Sequence, residues 1–368
     1  MSDQDFYQLM REANTLPDSP RKVELLEGAV RLADSQQDKK LGIDARLQLI
    51  DAATFGGRIE KSIVAFSWVL AQYDEDPHCI DLHSLLWRYK WVVANTVSFA
   101  SVARERILAL EDDMQRRYLE HGFSLQVVHE KRFENARMMG ELERAEEYYQ
   151  KWRTAPRDQL SDCRACDLNH RVEALLLFGQ PEEAFESATP LLNGQLSCRT
   201  MPEVTMAVLL EPALDLGKTE TAASLHLQGY SKIKGQATFL RELAFHMNYL
   251  RSVQQWEQAL AVFTQHIGML RDHHNDRDRL HYFLAAELLF RHYPTDTMSL
   301  STATGLPPSI ANAKTDQRPQ LLQWCAAEAE ATAQRFDQRN GNAYWTKHIT
   351  ACREKAAENH RSDQEKNT

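Results

Sequence analysis

The sequence predicts an all-α protein: a right-handed superhelical solenoid of about six to seven antiparallel helix pairs, closed by a C-terminal capping pair. Three observations predict it. A phrase Gly-x-x-x-x-Ala recurs between apolar runs, at Gly140 and Ala145, Gly179 and Ala184, and Gly217 and Ala222, with the glycines 39 and 38 residues apart. A fixed period of this length is the mark of a stacked helical repeat. The intervening runs are dense in Leu, Ala, Glu, Gln and Arg, which are strong helix formers. Alternating β-branched residues, the signature of strands, are nearly absent.

Each position of the phrase has a physical role. The glycine suits the left-handed residue that ends a helix. The alanine lets the next helix approach closely, and an aromatic residue four positions on, such as Tyr149, lies on the same face. Weaker copies extend the register: Asp18 before Val23, Gly57 before Ser62 and Phe66, Ser98 before Ala103, and Gln254 before Ala259 and Phe263. The anchors 18, 57, 98, 140, 179, 217 and 254 are spaced by 39, 41, 42, 39, 38 and 37. Pro17, Pro20, Pro77 and Pro156 fall at turns, and Pro181 and Pro202 suit the first turn of a helix. The repeat array is assigned to 1–292. Residues 275–292 read as one more helix, and 293–317, with Gly305, Pro307 and Pro308, as a loop or linker. A final helix pair is expected over 318–358, turning at Arg339-Asn340-Gly341-Asn342, with a polar tail over 359–368.

These residues resemble the second half of the tetratricopeptide repeat, which carries a Gly, an Ala five later and a Phe or Tyr four after that. Gly140, Ala145 and Tyr149 match all three positions. The resemblance covers about 15 to 270. It departs from the family in its longer period and in most of the Trp, Leu-Gly and Tyr signature of the first helix. It implies a peptide- or protein-binding groove. The chain also resembles bacterial tetratricopeptide proteins, which implies no particular activity.

Composition narrows the function. With 43 Lys and Arg against 52 Asp and Glu, the net charge is −9, which disfavours nucleic acid. No apolar run approaches a membrane span, and the first ten residues lack a signal pattern, so the expectation is a cytoplasmic chain. Its six cysteines would then stay reduced.

Three of those cysteines carry the sharpest chemical candidate. Cys163-Arg-Ala-Cys166 and Cys198 fall at the starts of the first helices of two successive repeats. His226 occupies the aromatic slot after Ala222. Three Cys and one His would make a closed tetrahedral structural zinc site, Cys163, Cys166, Cys198 and His226. His170 and His246 compete as ligands. Inert packing of the thiols, a redox pair, and a Cys163 or Cys166 nucleophile with a His170 or His226 base are the alternatives. His129-Glu130 lacks the second His of a zincin. Asp272-His273-His274-Asn275-Asp276 reads as a solvated turn, Trp87 and Trp91 as a core stripe, and Glu111-Asp112-Asp113 as solvating charge.

The function expected is therefore a non-enzymatic scaffold binding a protein or peptide partner, without nucleic acid or membrane. The alternative is a zinc- or redox-responsive regulator built on the cysteine cluster.

Overall fold

A computed structural model describes residues 3–294, 298, 300, 305–313 and 316–366. Among them are nineteen α-helices, two short 3-10 turns and no strand. No described helix is long and apolar enough to cross a membrane. Two compact units emerge, one of residues 1–161 with 273–275 and one of residues 162–272 with 276–368.

The first unit holds α1 (Asp3–Asn14), α2 (Pro20–Gln36), α3 (Lys39–Phe55), α4 (Ile59–Glu75), α5 (Leu82–Thr96), α6 (Arg104–Glu120), α7 (Gln126–Met138) and α8 (Leu142–Thr154). Each helix packs on the next, and α5 also touches α3 and α7. Local chemistry sets the helix starts. Ser19 accepts from the Lys22 N–H ahead of Pro20, Asp38 accepts from the Leu41 N–H, and Asp81 from the Ser84 N–H. These side chains satisfy donors that a helix leaves open at its first turn. A continuous core runs from Phe6 and Leu26 through Phe66, Leu86 and Tyr89 to Tyr118 and Leu160.

The second unit holds α9 (Arg164–Leu177), α10 (Pro181–Leu192), α11 (Glu203–Val208), α12 (Leu210–Asp215), α13 (Thr219–Ile233), α14 (Leu240–Ser252), α15 (Trp256–His266), α16 (Asp276–His292), α17 (Pro308–Ala311), α18 (Arg318–Asn340) and α19 (Tyr344–Lys366). Helices α11 and α12 are two pieces of one run. Pro212 has no N–H to give the Val208 carbonyl, and the run breaks at Leu209. Packing proceeds α9 to α11, α11 to α14, α14 to α16 and α16 to α18. Asp337 accepts from the Trp345 and Thr346 N–H groups and so starts α19 from the end of α18. The segment read as a polar tail is helical through Lys366. Within the expected 293–317 linker the described residues include the short helix α17, and 295–297, 299, 301–304 and 314–315 lie outside the described residues.

The recurring phrase has one geometry. Gly57, Gly140, Gly179 and Gly217 have φ of 74°, 71°, 72° and 67°, and Gln254 has φ of 59°. The residue after each closes the helix with a bond five residues back: Glu141 N–H to Ala136 O, Gln180 to Leu175, Lys218 to Ala213 and Gln255 to Leu250. That same residue's carbonyl then accepts the first N–H of the next helix, from Ala145, Ala184, Ala222 and Ala259 respectively. The spacing of five follows: one left-handed residue, one shared residue, one helical turn. These alanines and Ser62 are fully buried.

Three expectations need correction. Ser98 and Ala103 are out of register: Ala103 is exposed and precedes α6, while Ile107, four residues on, takes the buried slot. Glu111 is not solvating. It is buried and bonded to Asn135 (2.8 Å) and to Arg144. His273 and Asn275, read as part of a solvated turn, are buried too. Trp87 and Trp91 are half-buried and meet edge to face.

Candidate metal centre

Cys163 ends the loop before α9, and its sulfur accepts from the Cys166 N–H at 3.4 Å, capping the helix. Cys166 is therefore in the first turn, on the side of α9 that faces α11. Cys198 comes from the loop between α10 and α11, where its N–H donates to the Met201 carbonyl at 3.1 Å. It is a loop residue rather than the start of a helix, because the helix waits until Glu203. The Cys166 and Cys198 sulfurs are 3.4 Å apart, and all three sulfurs lie within 4.8 Å of one another.

The cluster sits half in the core. Cys166 and Cys198 pack on Ala165, Leu191, Met201, Val204 and Phe239, while Cys163 is exposed. Its charge state is uneven. Hydrogen bonds from the Cys163 and Cys166 thiols, then from the Thr200 and Met201 N–H groups, overcome burial and hold Cys198 far below an ordinary thiol. Hydrogen bonds to Cys163 and Cys198, together with burial, push Cys166 up. The three sulfurs share their hydrogen bonds with one another, and loss of their protons would turn the cluster into a three-sulfur ligand set.

Polar contacts one turn deeper fix the spacing between the elements. The Thr205 hydroxyl of α11 donates to Asn169 of α9 at 2.7 Å. The Asn169 amide in turn donates to Glu173 at 3.3 Å, and Glu173 pairs with Arg241 of α14 at 3.5 Å. Sequence reading missed this group. The only signal was that Asn169 and Thr205 stand 36 residues apart, near one repeat period.

His226 is not gathered with the thiols. Its ring meets His246 Nδ1 to Nδ1 at 3.0 Å and stacks on Tyr230 and Tyr249. Among the described residues, neither His226, His170 nor His246 has a nitrogen within 4.8 Å of all three sulfurs. The aromatic slot of α13 faces α14, so a residue there looks toward the next helix pair and away from α9. Burial pushes His226 down to about 4, and burial reinforced by His226 pushes His246 to about 3. Gly229 makes room: a Cβ there would come within 3.2 Å of the His246 ring. Nearby, His266 takes the Gly235 N–H at Nε2 and contacts the Val262 carbonyl through Nδ1, which fixes it as the neutral Nδ1–H tautomer.

No protein-family model matches the chain, and neither does any curated protein. The functional reading therefore rests on the residues themselves.

Proposed function

We propose that the chain is a non-enzymatic helical-repeat scaffold, a tetratricopeptide-like solenoid, whose second unit is stapled by a structural zinc ion on Cys163, Cys166 and Cys198. The observation that carries the staple is the convergence of three sulfurs within 4.8 Å from the start of α9 and the loop before α11. Three thiolates with one further ligand are a common zinc donor set, and an ion there would tie two successive helix pairs together. Support for the repeat comes from the shared turn geometry at Gly57, Gly140, Gly179, Gly217 and Gln254. Stacked repeats of this kind present an extended surface suited to a peptide or a partner domain. A cytoplasmic setting, where thiols stay reduced, accompanies this reading.

Elemental analysis of protein purified under reducing conditions tests the staple. About one zinc per chain, with a melting temperature lowered by chelator, is the expected result. Absence of zinc together with unchanged melting in chelator would exclude it. Selection against a displayed peptide library tests the groove, and failure to enrich any sequence would count against a peptide-binding scaffold.

A redox-responsive reading is favoured by one contact, the 3.4 Å between Cys166 and Cys198. Hydrogen peroxide could take two electrons from this pair and join the sulfurs, the two thiol protons leaving in two waters. Loss of two hydrogens in the intact mass after mild peroxide, mapped to this pair, is its test.

A further inference from the structure

We infer that the three-sulfur centre takes its fourth ligand from outside the chain, and that this ligand is a low-molecular-weight thiolate. The inference rests on the zinc reading above and names what completes it. A zinc ion held by protein seeks four donors. Only three converge here. Among the described residues no His, Asp, Glu or further Cys brings a donor within 4.8 Å of all three sulfurs. His226, which would have closed the set, is committed to His246 and Tyr249 across α14.

The way in is at Cys163. It is the exposed member of the three, while Cys166 and Cys198 are packed against Leu191, Val204 and Phe239. A ligand from solvent therefore meets the ion on the Cys163 side, ahead of the first turn of α9.

Charge and softness select the ligand. Three thiolates on a divalent ion leave a net charge of −1, and a fourth thiolate would make it −2. The surroundings can carry that. The N-terminus of α9 lies at the site, with its Cys166 N–H already given to Cys163. The Thr200 and Met201 N–H groups are already turned to Cys198. Arg164 follows Cys163, and Arg199 follows Cys198. Two acids oppose them. Asp162 lies beside Cys166, and Asp167 in α9 is paired with Arg171 at 3.3 Å. An ion already bound by sulfur prefers a further soft donor over an oxygen, so a thiolate outcompetes water and carboxylates. The ligand class is a small thiol of the glutathione type, exchangeable because no described residue of the chain replaces it.

Cobalt reconstitution of the reduced full-length chain tests this, since cobalt takes the zinc geometry and absorbs light through its thiolate bonds. Glutathione is titrated in, and retained cobalt is measured after gel filtration. The expected result is retention of the ion with a rise of about one third in thiolate-to-cobalt charge transfer, as three sulfur bonds become four. Cobalt that binds with an unchanged spectrum overturns this inference and leaves the staple standing, as does removal of the ion by glutathione. A chain that takes up no cobalt at all overturns both.

Discussion

The imidazoles of His226 and His246 share one short contact, Nδ1 to Nδ1 at 3.0 Å, between α13 and α14. Only one proton can lie between them, so the pair is stable when at least one ring is neutral. Both rings are held below the ordinary histidine value, at about 4 and about 3, by burial. The unfolded chain binds these protons near 6.5. Between pH 6.5 and about 4 the unfolded state therefore holds more protons than the native state, and stability falls as pH falls. The urea midpoint of the second unit should drop between pH 7.5 and 5 by the equivalent of about 2 kcal/mol per ring, about 4 kcal/mol for the pair. His226→Phe, which restores an aromatic residue to its slot, should remove about half of the dependence and leave the part that burial imposes on His246. An equally steep profile in that variant would assign it to other groups.

The left-handed turns make a paired prediction. Gly217 has φ of 67°, and a Cβ there would meet nothing within 4 Å. Gly217→Ala should therefore cost only backbone strain, about 1 kcal/mol. Gln254 holds the same conformation with a side chain, and Gln254→Gly should raise stability by up to about 1 kcal/mol. Opposite signs in thermal melts of the two variants are the expected outcome. Two losses of similar size would mean that the turn geometry is not the controlling factor.

These turns were the most legible part of the chain. A residue at positive φ and the first bond of the following helix are both local, so five residues suffice to reveal them. The register failed at Ser98 because the chain runs on between α5 and α6 and the helix begins four residues later. The candidate centre was legible only in part. The cysteine spacing placed three thiols near one junction, but the direction faced by the aromatic slot depends on how α13 packs against α14, which no local pattern records. Burial of Glu111 was hidden for a related reason. Its partners Asn135 and Arg144 lie 24 and 33 residues away.

Asn169 should matter to the proposed zinc site without touching it. It joins α9 to Thr205 of α11 and so holds the two sources of sulfur in register. Asn169→Ala is expected to weaken zinc binding by roughly 10- to 100-fold, measured by competition with a chromophoric chelator. Unchanged affinity would show that the sulfurs find each other without this contact.

Glu287 of α16 is wholly buried and meets Arg353 of α19 through two bonds of 2.8 Å, with Arg291 as a further partner. Removing the carboxylate takes both of these bonds from Arg353, which keeps only Glu330 at 2.9 Å. Glu287→Met should destabilise the second unit by about 3 kcal/mol, and adding Arg353→Met should recover part of the loss. A double variant no better than the single one would place the cost in packing.

An ion shared by Cys163 and Cys198 would also act on the chain that has lost its fold. It would close a ring of 36 residues that contains the whole of α9 and α10. A permanent link of that span removes roughly 4 kcal/mol of disorder from the denatured ensemble in the chain-entropy treatment. The hairpin of α9 and α10 would then re-form from an ensemble already tethered at its two ends, so loading with zinc before refolding should speed the return of this hairpin ahead of the rest of the chain.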